Sequence, residues 1–321
     1  MKYVGLHTQQ ALNNLRSVIL LCLFPCLVVL LTFLFCALLV FFTSEEQTAV
    51  NIWESSLPLF LHVAPYILGG VAVWFLIAYF ANTAIIRSAT GARPLERKDN
   101  KRIYNLVENL CMTQGMAIPK INIIEDDSLN AYASGINNST YTVALSRGII
   151  NKLNDEELEG VIAHELAHIR NRDVRLLIVS IVFVGIFAML TQVAFRSLLY
   201  APGRNRGNNK DGKGAAVMML IALLVAIVGY FFATLMRFAI SRKREYMADA
   251  AAAEMTRRPQ ALASALKKIS RNPNIESVTR DDVAQLFIEH PIRKQSFFSG
   301  ISSLFATHPP IEKRIAILEQ F

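Results

Sequence analysis

Residues Gly160–Asp173 read GVIAHELAHIRNRD and contain the pattern HExxH. On a helix, side chains four positions apart lie on the same face, so His164 and His168 can bind one metal ion. Glu165 lies at the rim of that face, where its carboxylate can act as a general base on a metal-activated water. The stretch therefore predicts a helix that carries part of a zinc hydrolase site.

The residues before HExxH favour that helix. Asn154 is a suitable N-cap, and the three acidic residues that follow it suit the positive end of a helix dipole. Apolar residues then recur at helical spacing and predict a buried face. The alternative is a solvated helix that carries two histidines by chance, and a third ligand would argue against it.

The composition indicates a membrane protein. Hydrophobic residues make up 53% of the 321 residues, and the mean hydropathy of +0.35 is high for a soluble domain. The formal charge is +8, but the basic residues cluster beside apolar segments, which favours membrane topology over nucleic-acid binding. The four cysteines include no CxxC pair, so neither a disulfide framework nor a cysteine zinc site is indicated.

Four apolar runs are long enough to cross a bilayer. They cover residues 18–42, about 64–86, about 176–199 and about 215–236. The first two predict an N-terminal membrane hairpin within residues 1–92, and the last two predict a second hairpin within 174–241. The remaining parts, 93–173 and 242–321, are then predicted to form one catalytic domain.

The charges that flank the runs predict the orientation. The loop after the first run is acidic, whereas six basic residues follow the second run between positions 87 and 102. The positive-inside rule places the N-terminus and the catalytic domain in the cytoplasm. The second hairpin conflicts in part with this rule because its own loop, residues 201–214, is basic. A helical pair only partly in lipid is therefore the alternative to a spanning hairpin.

Three short segments predict a small sheet in the catalytic domain, of which the first is an apolar, β-branched run. Ile121–Ile124, Asn130–Gly135 and Thr140–Ser146 are the candidate strands, with a turn after Gly135. Near the C-terminus, Asp281–Glu289 is predicted to be a helix.

A catalytic zinc site needs a third protein ligand. No histidine closely follows His168, so the metzincin pattern is absent. Glu245 is a candidate, and Asp249 lies four residues on, where it could accept a hydrogen bond from a ligating imidazole. His290 and His308 remain possible ligands, and the two carboxylates could instead neutralise the basic residues before them.

Four motifs in order resemble the HtpX-like membrane zinc metallopeptidases. These are relatives of the CaaX prenyl endoproteases and of a mitochondrial quality-control peptidase. The motifs are HELAH followed by Asp173, a hydrophobic hairpin, REYMAD at Arg244–Asp249, and THPP at Thr307–Pro310 followed by Arg314. The resemblance extends from about residue 60 to the end of the chain.

The resemblance implies the ligand set. One Zn²⁺ per subunit would be bound by His164, His168 and Glu245. Glu165 would be the general base. Two further carboxylates, Asp249 and Asp173, would lie behind these ligands.

The resemblance also implies residues that meet the substrate. His308 and Arg314 would lie near the scissile bond and help to hold the oxyanion. An edge strand would pair with the substrate backbone through Asn130, Ala131, Tyr132 and Ala133. The alternative for His308 is an ordinary loop histidine, and the alternative for Arg314 is a solvated helix residue. The segment at residues 130–133 could instead be an ordinary sheet strand.

Together these inferences predict a mostly α integral membrane protein with about four transmembrane helices. Its catalytic domain is expected to be a cytoplasmic α+β zincin-like (gluzincin) domain with a small β-sheet. The expected function is zinc-dependent cleavage of misfolded or membrane proteins at the inner membrane under stress, with the lipid bilayer and those substrates as partners and no nucleic acid. The oligomeric state stays open. The alternatives are a CaaX-type processing peptidase and an inactive adaptor with a structural metal site.

Overall fold

The computed structural model describes residues 6–43, 49–199, 210–238, 243–271, 286–288 and 309–321. The chain divides into two compact units. The helical unit comprises Val18–Phe80 and Val179–Arg237. The mixed unit comprises Met1–Ser17, Ala81–Ile178 and Phe238–Phe321, and it contains the predicted site.

In the part of the chain that the structure describes, four long helices run through the helical unit. They are α1 (Leu6–Thr43), α2 (Ala49–Thr90), α6 (Asp173–Leu199) and α7 (Lys210–Phe238). Among the described residues, two segments are long and apolar enough to cross a membrane, Cys22–Phe42 and Asn51–Thr90. A shorter apolar segment covers Met218–Phe232. Two of the four predicted spans thus have this support, and the other two remain predictions.

The helix α2 is longer than the apolar run that predicted it. It begins at Ala49 and continues through Pro58 and Pro65. Proline removes one backbone donor, yet transmembrane helices tolerate it where other groups satisfy the freed carbonyl. Within the helical unit, α6 and α7 also approach closely, since a Cβ on Gly229 would lie 2.3 Å from a ring carbon of Phe187.

The mixed unit contains a four-stranded sheet, which confirms the predicted small β-sheet. Its strands are β1 (Arg93–Pro94), β2 (Lys120–Ile124), β3 (Ala131–Ser134) and β4 (Thr142–Ser146). The spatial order is β1-β2-β4-β3. β2 and β4 are parallel, whereas β1 with β2 and β3 with β4 are antiparallel. In the spatial order, β3 lies at one edge of the sheet.

Among the described residues, six further helices belong to the mixed unit. They are α3 (Lys101–Thr113), α4 (Arg147–Lys152), α5 (Asp155–Arg170), α8 (Lys243–Thr256), α9 (Pro259–Ile269) and α10 (Ile311–Leu318). Helix α5 carries HExxH, and it packs against α8 and α9. A Cβ on Gly160 would lie only 3.2 Å from Leu262, so glycine at this position lets α5 approach α9 closely.

A capping box starts α5 at the predicted N-cap. The Asn154 side chain accepts from the Glu157 backbone N–H at 2.8 Å, and Glu157 accepts from the Asn154 N–H at 3.1 Å. The buried Glu157 carboxylate also accepts from Ser264 and Lys268 of α9, each at 2.7 Å. Burial raises the pKa of Glu157, but these bonds outweigh it and the net pKa is lowered.

Replacing Glu157 should therefore destabilise the mixed unit. We expect Glu157→Ala to cost about 1–3 kcal/mol, because it removes a cap and leaves two half-buried donors without their acceptor. Thermal unfolding in detergent measures this as a melting temperature lowered by several degrees. Since the folded-state pKa is depressed, the contribution is present at neutral pH and disappears as the pH falls through that value.

The neighbouring Glu156 provides the control. Its carboxylate is exposed and pairs with exposed Arg258 at 3.0 Å. Glu156→Ala should leave the melting temperature nearly unchanged, because surface ion pairs contribute little to stability. Equal effects of the two substitutions would contradict the proposed role of Glu157.

Candidate active site

Two helices bring three potential metal ligands together. His164 and His168 lie on α5, and Glu245 lies in the first turn of α8. The two Nε2 atoms are 3.2 Å apart. The His164 Nε2 lies 3.6 Å from Oε2 of Glu245, and the His168 Nε2 lies 3.6 Å from Oε1 of the same carboxylate. Tetrahedral coordination with bonds of about 2.0–2.2 Å places neighbouring donor atoms about 3.3–3.6 Å apart. The spacing therefore fits one tetrahedral metal ion.

Small residues allow this meeting of helices. Ala167 of α5 packs with Ala248 and Ala251 of α8 in a buried cluster, with Met255 at its side. Because alanine side chains are short, the two helix backbones can approach closely enough for Glu245 to reach both histidines. The sequence shows these alanines, but it does not show that they face one another.

A carboxylate lies behind each histidine. Asp249 Oδ1 is 2.9 Å from His164 Nδ1, and Asp173 Oδ2 is 3.3 Å from His168 Nδ1. A carboxylate at Nδ1 accepts the N–H of that nitrogen and directs Nε2 toward the metal. The structure thus brings both predicted carboxylates to the side of the rings that faces away from Glu245.

An arginine lies behind each of these carboxylates. Arg314 of α10 is fully buried and binds both oxygens of Asp249, through Nε at 2.8 Å and Nη2 at 2.7 Å. Buried Arg244 places its Nε 3.5 Å from Asp173 Oδ1. The burial of Arg314 excludes the alternative of a solvated helix residue. Arg244 was missed as a site residue, although it begins the REYMAD motif.

Glu165 is buried beside the ligand group. Among the described residues, its Oε1 has no hydrogen-bond partner within the protein. A buried carboxylate oxygen of this kind is suited to a bound water or substrate group. Burial raises the pKa of Glu165, and the nearby histidines only partly oppose the shift. A raised pKa suits a group that must both accept and return a proton.

Comparison with known proteins identifies the family. Residues 97–321 match the family model described as Peptidase family M48. The chain belongs to peptidase family M48. A Protease HtpX homolog from Bacteroides fragilis strain ATCC 25285 is 69% identical over the full length of both chains. One from Dictyoglomus turgidum is 41% identical over 77% of this chain and 80% of that protein.

A solved structure is also similar to this M48 peptidase. The crystal structure of S. mikatae Ste24p is matched with a TM-score of 0.47 and 20% sequence identity. The match covers 79% of this chain and 58% of that chain. The family match and the curated relatives confirm the resemblance to HtpX-like peptidases and the prediction of a metallopeptidase.

Strong electrostatic coupling joins the buried groups of this M48 peptidase. Burial lowers the pKa of His164, but bonds to Asp249 and Glu245 outweigh it and raise the pKa to about 9. Burial raises the pKa of Asp249, but the Arg314 charge and its hydrogen bonds lower it to about 2. At neutral pH a metal ion that binds here would therefore displace a proton from His164.

Metal affinity should consequently increase with pH. We expect the apparent dissociation constant to fall about tenfold per pH unit between about pH 6 and pH 8, because one proton leaves for each ion bound. Competition against a chromophoric chelator in detergent measures this. An affinity that stays constant across this range would contradict proton competition at His164.

Not all of the predicted substrate residues are described. His308 lies outside the described residues, as does His290. Ala131, Tyr132 and Ala133 lie in β3, and buried Asn130 precedes this strand, which packs against α5.

The outer edge of β3 contacts a segment that sequence reasoning assigned to a helix. Tyr132 forms an isolated antiparallel bridge with Phe287. Residues 286–288 are therefore not helical, since Phe287 pairs with β3 through an isolated bridge. The rest of the predicted helix Asp281–Glu289 lies outside the described residues. The apolar run Leu-Phe-Ile is the sequence signal that could have indicated a strand.

Proposed function

We propose that this M48 peptidase is an integral-membrane zinc endopeptidase with one Zn²⁺ per subunit. The observation that carries the proposal is the spacing of 3.2–3.6 Å among the donor atoms of His164, His168 and Glu245. Two imidazoles and one carboxylate are a common donor set for catalytic zinc, and they leave a fourth position open. An open position favours an enzyme over an adaptor with a structural metal site.

The charges of the site support a bound dication. Glu165, Glu245 and Asp249 bring three buried carboxylates together, and Arg314 is in contact with two of them. A divalent ion would balance the remaining negative charge. Bound zinc supplies Lewis acidity, which makes water more acidic and polarises a carbonyl group.

Glu165 is proposed to move the proton. Its carboxylate accepts a proton from the attacking water as the new carbon–oxygen bond forms. It then donates that proton to the amine nitrogen as the carbon–nitrogen bond breaks. The unpartnered Oε1 and the raised pKa of Glu165 both suit this cycle.

The Arg–Asp pairs are proposed to orient the ligands. Arg314 fixes Asp249, and Asp249 fixes the ring of His164 through Nδ1. Arg244 and Asp173 would act on His168 in the same manner. His308 is proposed, from the family resemblance, to hold the oxyanion. The described contacts of Arg314 instead support an orienting role.

Substrates are proposed to be misfolded or membrane proteins near the bilayer. The segments Cys22–Phe42 and Asn51–Thr90 support membrane insertion. Four spans and a multi-pass arrangement in the inner membrane are proposed from the four apolar runs. The charges around the first two runs support a catalytic domain in the cytoplasm. Residues 93–173 and 242–321 would together form that domain. A role in protein quality control under stress follows from the resemblance.

Glu165→Gln tests the mechanism. We expect hydrolysis of casein in detergent to fall by about 10²–10⁴-fold, because the amide cannot accept the proton. Zinc content, measured by mass spectrometry of the purified protein, should stay at one ion per chain. A variant that retains full activity would refute the proposed base. In cells, the same variant should trap substrates for identification.

Glu245→Gln tests the third ligand. Loss of the carboxylate charge should lower zinc occupancy and casein hydrolysis together, because two imidazoles alone hold the ion weakly. Glu254→Gln is the matched control, since Glu254 is exposed on the same helix. Normal zinc content in Glu245→Gln would assign the third ligand elsewhere, and metal loss in Glu254→Gln would show a general effect of charge on α8.

A further inference from the structure

The strand β3 has an unusual environment for an edge strand. It is the last strand of the sheet and pairs with β4 on one side. An edge strand normally presents free backbone groups that can pair with an extended peptide. All four residues of β3 are nevertheless buried.

The chain itself covers this edge. Ile288 donates its backbone N–H to the carbonyl of Ala131 at 2.9 Å, and Tyr132 and Phe287 are antiparallel partners. Their rings meet edge to face, with centroids 4.9 Å apart at 70°. Phe287 is 0% exposed, and Leu286 and Ile288 are also buried. We call Leu286–Ile288 the covering segment.

The Tyr132 ring is held in place beneath the covering segment. Its hydroxyl lies 2.9 Å from the hydroxyl of Thr90, and the two groups share a hydrogen bond. The ring therefore presents a fixed aromatic surface at the edge of β3. An aromatic or bulky apolar side chain fits this surface, as Phe287 does.

The covering segment also reaches the metal site. Arg314 donates from Nη1 to the carbonyl of Ile288 at 3.1 Å. The same guanidinium binds Asp249, which faces His164. The backbone of a peptide in this position would therefore be linked through Arg314 to Asp249, which orients the ring of His164.

We propose that the covering segment occupies the substrate's place on β3. An extended substrate would pair antiparallel with Ala131–Ala133, set a bulky apolar side chain against Tyr132, and displace Leu286–Ile288. The enzyme is then self-inhibited until a substrate competes. Backbone pairing accepts many sequences, whereas the Tyr132 surface selects unfolded segments with exposed apolar side chains.

This inference rests on the proposed endopeptidase function. It also predicts specific changes in KM and in activity. If only molecules with an uncovered β3 edge bind substrate, the apparent association constant is the intrinsic one multiplied by the uncovered fraction. Weakening the covering segment should therefore lower KM, whereas fixing it in place should abolish activity. If the covering segment were instead a permanent fifth strand, fixing it in place would leave the activity unchanged.

A reversible cross-link provides the test. Continuing the register of the Tyr132–Phe287 bridge by one residue would set Ala133 opposite Leu286. Opposed residues in an antiparallel pair lie within the Cα distance that a disulfide spans. The full-length, zinc-loaded variant Ala133→Cys with Leu286→Cys would be oxidised, and the bond verified by mass spectrometry. The background carries serine at Cys22 and Cys26, which are exposed.

We expect reduction with a phosphine to raise kcat/KM for casein by about tenfold or more, because it frees the edge. The single variant Leu286→Cys, treated in the same way, should show no dependence on redox state. Equal activities of the two redox forms of the double variant would overturn the proposal. Failure to cross-link would contradict the bridge itself.

A second variant weakens the covering segment without a cross-link. Phe287→Ala should raise kcat/KM severalfold through a lower KM. Leu153→Ala, a truncation of a buried residue between α4 and α5, should produce no such rise. An unchanged or lower kcat/KM in Phe287→Ala would overturn the proposal. A wild-type chain that does not cleave casein would refute the peptidase function, whereas equal redox forms beside an active wild type refute only the self-inhibition.

Discussion

Close packing of α5 against α8 is the constraint on which the rest of the site depends. The alanines Ala167, Ala248 and Ala251 allow the two backbones to meet. That contact sets the distances among His164, His168 and Glu245. Because the ligands come from two helices separated by the second hydrophobic hairpin in sequence, the contact between the helices must be precise. Larger side chains at the alanine positions would push α5 and α8 apart and separate the donor atoms, even where each helix stayed intact.

The packed helices also bury an unusual number of charges. Isolated buried charges are costly, and a buried ion pair stabilises a fold only when its geometry and hydrogen bonds are good. Arg314 satisfies Asp249 with two short bonds and reaches the Ile288 carbonyl with a third nitrogen. A metal ion would bind the folded arrangement and not the unfolded chain, so metal binding and stability of this region are linked.

Local sequence patterns predicted much of the mixed unit. The capping box at Asn154 and Glu157 places the start of α5, because its bonds join residues three positions apart. The strand near 121–124 follows from a β-branched run, and the strands near 130–135 and 140–146 follow from the turn that begins at Gly135. That glycine has a φ of +113°, and a Cβ there would meet Thr140 at 2.5 Å. The short strand β1 has no comparable pattern, since two residues carry no periodicity.

Contacts between distant residues were harder to predict. Nothing in the local pattern shows that β2 pairs with β4 rather than with β3, or that Arg244 faces Asp173. The same holds for the segment Leu286–Ile288, since its short apolar run does not show which strand it contacts. Its pairing with β3 depends on an edge that forms only when the sheet is complete.

The sequence by itself determined the chemistry of this protein: HExxH on a capped helix, a candidate third carboxylate, and apolar runs that suit a membrane. These features depend on neighbours in the chain, so residue type and spacing are enough to reveal them. The tertiary structure alone decided which groups meet. It placed Glu245 at the two histidines, Arg314 behind Asp249, and Phe287 on Tyr132. Such contacts arise from packing between distant segments, and a linear pattern carries no measure of that packing.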